Sequence, residues 1–284
     1  MPRRLLSQRH PLLYRASVAF HRLRRRLQTR CDGRTYCAAA TRGSEPLPHR
    51  IRKHQSLLIR KLGSTDLRLQ HNKVENLRLV VAALDGVLLR PGETFSFFRL
   101  VGQPSRRRGF QEGIELSFGV ARPGIGGGIC QSTNLLYWLA LHSELSIRER
   151  HHHSCDPFPD EGRVLPWSSG AAVFYNYLDF QLTNPTAATF QIRLWLTGTH
   201  LVGELRSDQE PPIKYHVYER NHQFHHDGSA YFRSNEIWRR AVDRASGLTV
   251  RRELISRNVG KVLYEPSEEI RRSAVALVPG LGSP

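Results

Sequence analysis

The sequence predicts an α+β protein: a mixed helix-and-sheet unit with a glycine-rich loop leading into a cysteine-bearing helix, then a strand-rich C-terminal extension. Three observations predict it. An apolar run with helical spacing (Leu135, Leu136, Leu139, Ala140) follows Gly126-Gly127-Gly128 directly. Several short segments alternate apolar and polar residues between turn signals, as half-buried strands do. Hydrophobic residues are 39% of 284, enough to bury a core.

Taken in order, residues 11–28 read as an amphipathic helix. Pro11 suits its first turn, and Leu12, Leu13, Ala16, Phe20, Leu23 and Leu27 form one stripe. Such a helix either docks its stripe on the body of the protein or lies on an anionic membrane. Gly33, Gly43, Pro46 and Pro48 mark a linker over 31–48. Residues 55–62 have a strand's apolar content. Residues 76–84 form a short helix stopped at Gly86. Pro91-Gly92 turns the chain between two apolar runs in 87–98. After the cysteine-bearing helix, 145–154 begins as a strand and 171–182 reads as another. Residues 189–196 and 201–205 form a hairpin around Gly198, and a further turn falls at Ser246-Gly247. The expected division is a basic helix and linker (1–45), a core (46–207) and the strand-rich extension (208–284).

Charge narrows the partners. Lys and Arg number 42 against 25 acids, a formal +17 that attracts polyanions. Nucleic acid is not the expected partner, because no helix-turn-helix, zinc-finger or RNA-recognition signature is present. An anionic membrane surface touched by residues 11–28 and an anionic cell-wall precursor both fit. The first thirty residues hold nine Arg and no acid, lack a signal peptide's apolar run, and no stretch is long and apolar enough for a span. The expectation is a cytoplasmic chain, peripheral on the inner membrane face if the helix touches lipid. Four cysteines, without a C-x-x-C pair, do not make a disulfide framework. No cofactor is expected.

Chemistry concentrates at Cys130. A thiol at a helix start meets unpaired N–H groups and the positive end of the dipole, which favour thiolate. Gly126, Gly127 and Gly128 allow close backbone approach, and their N–H groups suit an oxyanion. His151, His152 and His153 follow on the next strand as candidate bases. Asp179 lies one strand later as the group to orient the histidine, completing a Cys–His–Asp set. Gln131 and Arg150 flank the pocket. Rival readings are a packing cysteine at a tight helix–strand contact and a zinc site of His151, His153 and Cys155. Adjacent residues on a strand face opposite ways, so at most two of the three histidines converge. Arg106, Arg107 and Arg108 are either a carboxylate clamp or a solvated loop.

Three segments carry a family resemblance: PGETFSF (91–97), GIGGGICQSTNLLYW (124–138) and ERHHHS (149–154). Together they resemble the VanW family, whose pattern fixes the first and third histidines, here His151 and His153. HQSLLIRKLGS (54–64), VFYNYLDFQLTNPT (173–186) and NEIWRR (235–240) extend the likeness over about residues 8–265, toward the short stand-alone branch. The resemblance implies a peptidoglycan-precursor peptide as substrate or ligand, and a link to glycopeptide resistance. By likeness to exported relatives it also implies L,D-transpeptidase-type acyl transfer through Cys130.

Overall fold

The computed structural model describes residues 11–38, 40–59, 66–117, 120–152, 155–156, 159–160 and 163–277. Five α-helices and fourteen strands form along these residues, with the strands in long runs, so the fold is mixed α+β, as the sequence predicts.

Four sheets are built. The first is antiparallel, in the order β1 (His49–Leu57), β10 (His200–Ser207), β9 (Phe190–Leu196), β2 (Leu88–Leu89). The second orders β3 (Thr94–Ser96), β8 (Gln181–Thr183) and β6 (Ser146–Glu149). The hairpin β4 (Glu112–Ser117) and β5 (Val120–Ile125) precedes the glycine loop. The fourth sheet consists mainly of three long antiparallel strands, β11 (Ile213–His226), β12 (Tyr231–Asp243) and β13 (Thr249–Val262). Two short parallel strands edge it, β14 (Val275–Ala276) on β11 and β7 (Cys155–Asp156) on β13. The turn at Ser246-Gly247 is where the sequence places it, with Gly247 at φ +71°.

The core gathers around α4 (Cys130–Leu141), which is buried on every side from Leu135 to Leu141. A helix apolar all round has no solvent face to offer and sits inside. It packs on β1 and β10. Its last carbonyls are capped from the C-terminal sheet: the Arg239 guanidinium donates to the carbonyls of Leu141 (3.4 Å) and Ser143 (3.0 Å), a cation where the dipole favours one.

The helix expected over 76–84 begins earlier, as α2 (Leu67–Leu84). Asp66 caps it, accepting from the Arg68 N–H at 2.8 Å. Leu69, Leu77, Val80 and Leu84 line its buried face. The polar first half, with Gln70, His71 and Asn72, hides this helix from an apolar-periodicity reading. The strand expected over 171–182 is mostly a turn. Phe174 and Leu178 bridge across Asn176 at φ +57°, and regular pairing resumes only at Gln181. Asn tolerates the left-handed region, so the apolar alternation there belongs to a folded-back loop.

α1 (Pro11–Cys31) docks with the opposite face from the one expected for a docked helix. The half-buried row is Ser17, His21, Arg25 and Thr29, spaced four apart, whereas Leu13, Phe20, Leu23 and Leu27 face outward. His21 meets the Tyr177 ring edge-on at 5.6 Å, and the Arg99 guanidinium donates to the Thr29 carbonyl at 3.4 Å.

Candidate functional site

The glycine loop is set by packing. A Cβ on Gly127 would stand 2.3 Å from the Gly113 carbonyl carbon and oxygen, so β4 and the loop touch backbone to backbone. Gly128, at φ +88°, lies over the Lys73 side chain, where a Cβ would meet Cγ at 2.1 Å. Asn76, fully buried on α2, ties the pieces together. It donates to the carbonyls of Gln111 and Gly127 (both 3.0 Å) and accepts from the Gln111 N–H (2.8 Å). Nothing in the sequence pattern singles out Asn76. The Gly126 N–H is spent on the Gln111 carbonyl and the Gly127 N–H on that of Gly124, both at 2.9 Å. Of the three expected oxyanion donors, only Gly128 keeps its amide uncommitted among the described residues.

Cys130 opens α4 as predicted. Its Sγ donates to the Val173 carbonyl at 3.7 Å. Burial pushes the thiol up, reinforced by the Glu115 carboxylate. The direction is opposite to the depression expected of a helix-start thiol, because taking a thiolate out of water disfavours the charged form.

The segment 170–174 runs beside the start of α4. Thr133 Oγ1 donates to the Ala171 carbonyl (2.6 Å), and Asn134 Oδ1 accepts from the Ala171 N–H (2.8 Å). The Ala172 N–H points to the other edge and donates to the His151 carbonyl at 2.7 Å. In extended chain successive peptide groups face opposite edges. Cys130 and His151 therefore flank one short segment, with the methyl of Ala172 as its central side chain. Among the described residues no hydrogen bond joins the Cys130 thiol to an imidazole. His153 lies outside the described residues, and His152 is exposed.

Sequence reasoning missed Glu149. Its Oε1 lies 3.1 Å from His151 Nε2 and accepts from the Asp179 N–H at 2.9 Å, while Oε2 is held by the Arg25 guanidinium. Burial alone would raise this carboxyl, but the hydrogen bonds from His151, Arg25 and Asp179 outweigh it and hold it low. The signal was available: residues 149 and 151 of an alternating strand share a face. Asp179, expected to orient a histidine, is engaged elsewhere. It accepts from Ser96 Oγ (2.5 Å), the Phe98 N–H (3.1 Å) and Gln181 Nε2 (3.1 Å). Burial pushes its pKa up. Its link to His151 runs only through its backbone N–H and Glu149.

Gln131 and Arg150 hold structure. Gln131 Nε2 donates to Ser56 Oγ (2.8 Å) and the Leu57 carbonyl (2.9 Å), fastening α4 to β1. Arg150 Nε donates to the Gly170 carbonyl at 2.9 Å, Nη2 donates to that of Ser168, and the guanidinium lies over the Tyr137 ring at 4.7 Å. Arg106–Arg108 form an exposed turn in which Arg106 pairs with Glu112 at 2.5 Å. The four cysteines are free thiols. Among the described residues no group of three or more His, Cys, Asp or Glu is placed to hold a metal. No helix there is long and apolar enough to cross a membrane.

Residues 72–206 match the family model described as VanW like protein. The chain is 29% identical over 270 residues to the vancomycin B-type resistance protein VanW of Enterococcus faecalis, covering 95% of this chain and 98% of that one. It is also 29% identical over 137 residues to the uncharacterized protein YoaR of Bacillus subtilis, covering 48% of this chain and 43% of that one. No solved structure matches.

Proposed function

The chain carries a VanW-family domain, and on that premise we propose that it serves glycopeptide resistance as a cysteine-dependent acyl-transfer or hydrolytic enzyme on peptidoglycan-precursor peptides. One observation carries this reading: a helix-start thiol and an imidazole held by a carboxylate flank the same short segment, with nothing bulkier than Ala172 at its centre. A thiol kept neutral by burial needs a base at the moment of attack rather than a standing thiolate. In the proposed step a histidine of the 151–153 run takes the Cys130 proton as sulfur bonds to the peptide carbonyl carbon. The C–N bond then breaks, the same proton passes to the departing amine, and the acyl group stays on sulfur as a thioester. Water or a second amine resolves it, and the thiol regains its proton. Glu149 stabilises the imidazolium.

The test is the pH dependence of alkylation at each cysteine of the folded protein, read by peptide mass spectrometry. Exposed Cys31 and buried Cys37 are internal controls. The proposal expects Cys130 to react in the folded state with a profile that His151→Gln or His153→Gln displaces, leaving Cys31 unchanged. An inert Cys130, or a profile indifferent to both histidines, overturns it.

The spent amides of Gly126 and Gly127 favour a second reading, a non-catalytic protein that binds the precursor peptide. It predicts that Cys130→Ser leaves both peptide binding and resistance in cells intact.

A further inference from the structure

We infer that helix α1 seats the protein on an anionic lipid bilayer, lying in the plane of the surface with its apolar stripe in the acyl boundary. The helix is amphipathic in the inverted sense for a docked element. At about 100° per residue, Ser17, His21, Arg25 and Thr29 form one edge, and that edge is the one held by the body of the protein. Arg25 is latched to Glu149, with Asp179 3.8 Å away. Leu13, Phe20, Leu23 and Leu27 project from the roughly opposite side and are 49%, 63%, 57% and 54% exposed. A helix that merely packs on its own domain turns this stripe inward; here the attachment is polar and the apolar face is left over.

The charge decides what covers it. The first thirty residues hold nine Arg and no acid, and the first acid is Asp32. A second copy meeting this face would bring two arginine-bearing helices without an acid together, and like charges repel at contact distance. A bilayer carrying anionic headgroups offers apolar depth for the stripe and negative charge for the arginines beside it, such as exposed Arg24. The helix is 21 residues long, of which Arg15, Arg22, Arg24, Arg25, Arg26 and Arg30 are charged, so it lies on a membrane and does not cross it. The inference rests on the two faces of α1 and not on the chemistry proposed for Cys130. Arg25 does join the two places, because the residue that anchors the helix also holds the carboxylate beside His151.

The experiment is co-sedimentation of the full chain with vesicles of phosphatidylcholine containing phosphatidylglycerol, and with phosphatidylcholine alone. The expected result is partition onto the anionic vesicles only, weakening as salt is raised. Phe20→Ser/Leu23→Ser/Leu27→Ser should lower partition about tenfold or more, and Arg24→Glu should lower it severalfold. Melting temperature and circular dichroism should stay unchanged in both, since these side chains face solvent. The inference is overturned if wild type stays in the supernatant with anionic vesicles. It is equally overturned if the triple variant partitions as wild type does, or if gel filtration finds a dimer that the triple variant dissolves, which would make a second copy the occupant.

Discussion

Gly127→Ala tests whether the loop before Cys130 is fixed by close packing. The new Cβ would lie 2.3 Å from both the carbon and the oxygen of the Gly113 carbonyl and 2.8 Å from the Ile114 nitrogen. These are backbone atoms with no rotamer to yield, so the loop and β4 must part by about 1 Å to reach ordinary contact. Overpacking of this kind costs about 1–3 kcal/mol. Parting the two also strains the buried hydrogen bond from Asn76 to the Gly127 carbonyl, which adds about 1–2 kcal/mol if it breaks. The expected loss is about 2–5 kcal/mol. Urea unfolding followed by tryptophan fluorescence reads it, with Gly198→Ala, whose Cβ meets nothing within 4 Å, as the neutral control. Gly113→Ala enters the same contact from the other side. The double variant should therefore lose clearly less than the sum of the singles, because the first substitution has already opened the gap. A loss under about 1 kcal/mol for Gly127→Ala, or strict additivity, would refute the reasoning.

Two further outcomes follow from buried charge. His142 is 6% exposed, its Nδ1–H donates to the Trp138 carbonyl (2.8 Å), and it is pushed by burial from 6.5 down to about 4. The unfolded chain takes up this proton near 6.5 while the folded one resists until about 4. Stability is therefore full above 6.5 and falls as pH drops toward 4, by about 3 kcal/mol. A His142→Gln variant should lose that part of the slope in pH-dependent unfolding, and an unchanged slope would contradict it. Arg233 is 2% exposed and donates to Asp156 (3.0 Å) and to both oxygens of Asp160 (2.7 Å each). Arg233→Met leaves Asp156, 1% exposed, with Arg163 and Tyr264 as its side-chain partners among the described residues, and should cost about 3 kcal/mol in the same assay. A loss below about 1 kcal/mol would show that those two suffice.

What the sequence revealed depended on how local the determinant was. The start of α4 at Cys130, the turn at Pro91-Gly92 and the hairpin around Gly198 are set by residues adjacent in the chain, and pattern reading finds them. The first half of α2 escaped because its inward face includes Gln70 and Lys73, buried polar groups that break an apolar count. The fold-back at Asn176 escaped because VFYNYLDF alternates like a strand, and only the left-handed Asn reveals the turn. At the candidate site the thiol, the histidine run and the glycines were all named in advance, but their partners were not. Asp179 was chosen for its place after the histidines. Its engagement with Ser96 and Phe98, more than eighty residues earlier, is a tertiary fact that no spacing rule contains. Glu149 was within reach, two positions from His151 on one strand face.

The chain around the histidine run is sewn in from both distant ends. Cys155–Asp156, immediately beyond it, runs parallel to Lys261–Val262 of β13, and Asp156 is gripped by Arg233 of β12. Ahead of it, Glu149 is held by Arg25 of the N-terminal helix, and the first strand of the main sheet, His49–Leu57, lies before residue 72. The stretch 72–206 that the family model matches is therefore not a unit of folding. Cutting the chain to it would strip the β1 edge from the first sheet and leave only β7 of the fourth, releasing the segment around the histidine run at both shoulders, so insertions and losses outside that stretch act on the geometry of the candidate site as directly as changes within it.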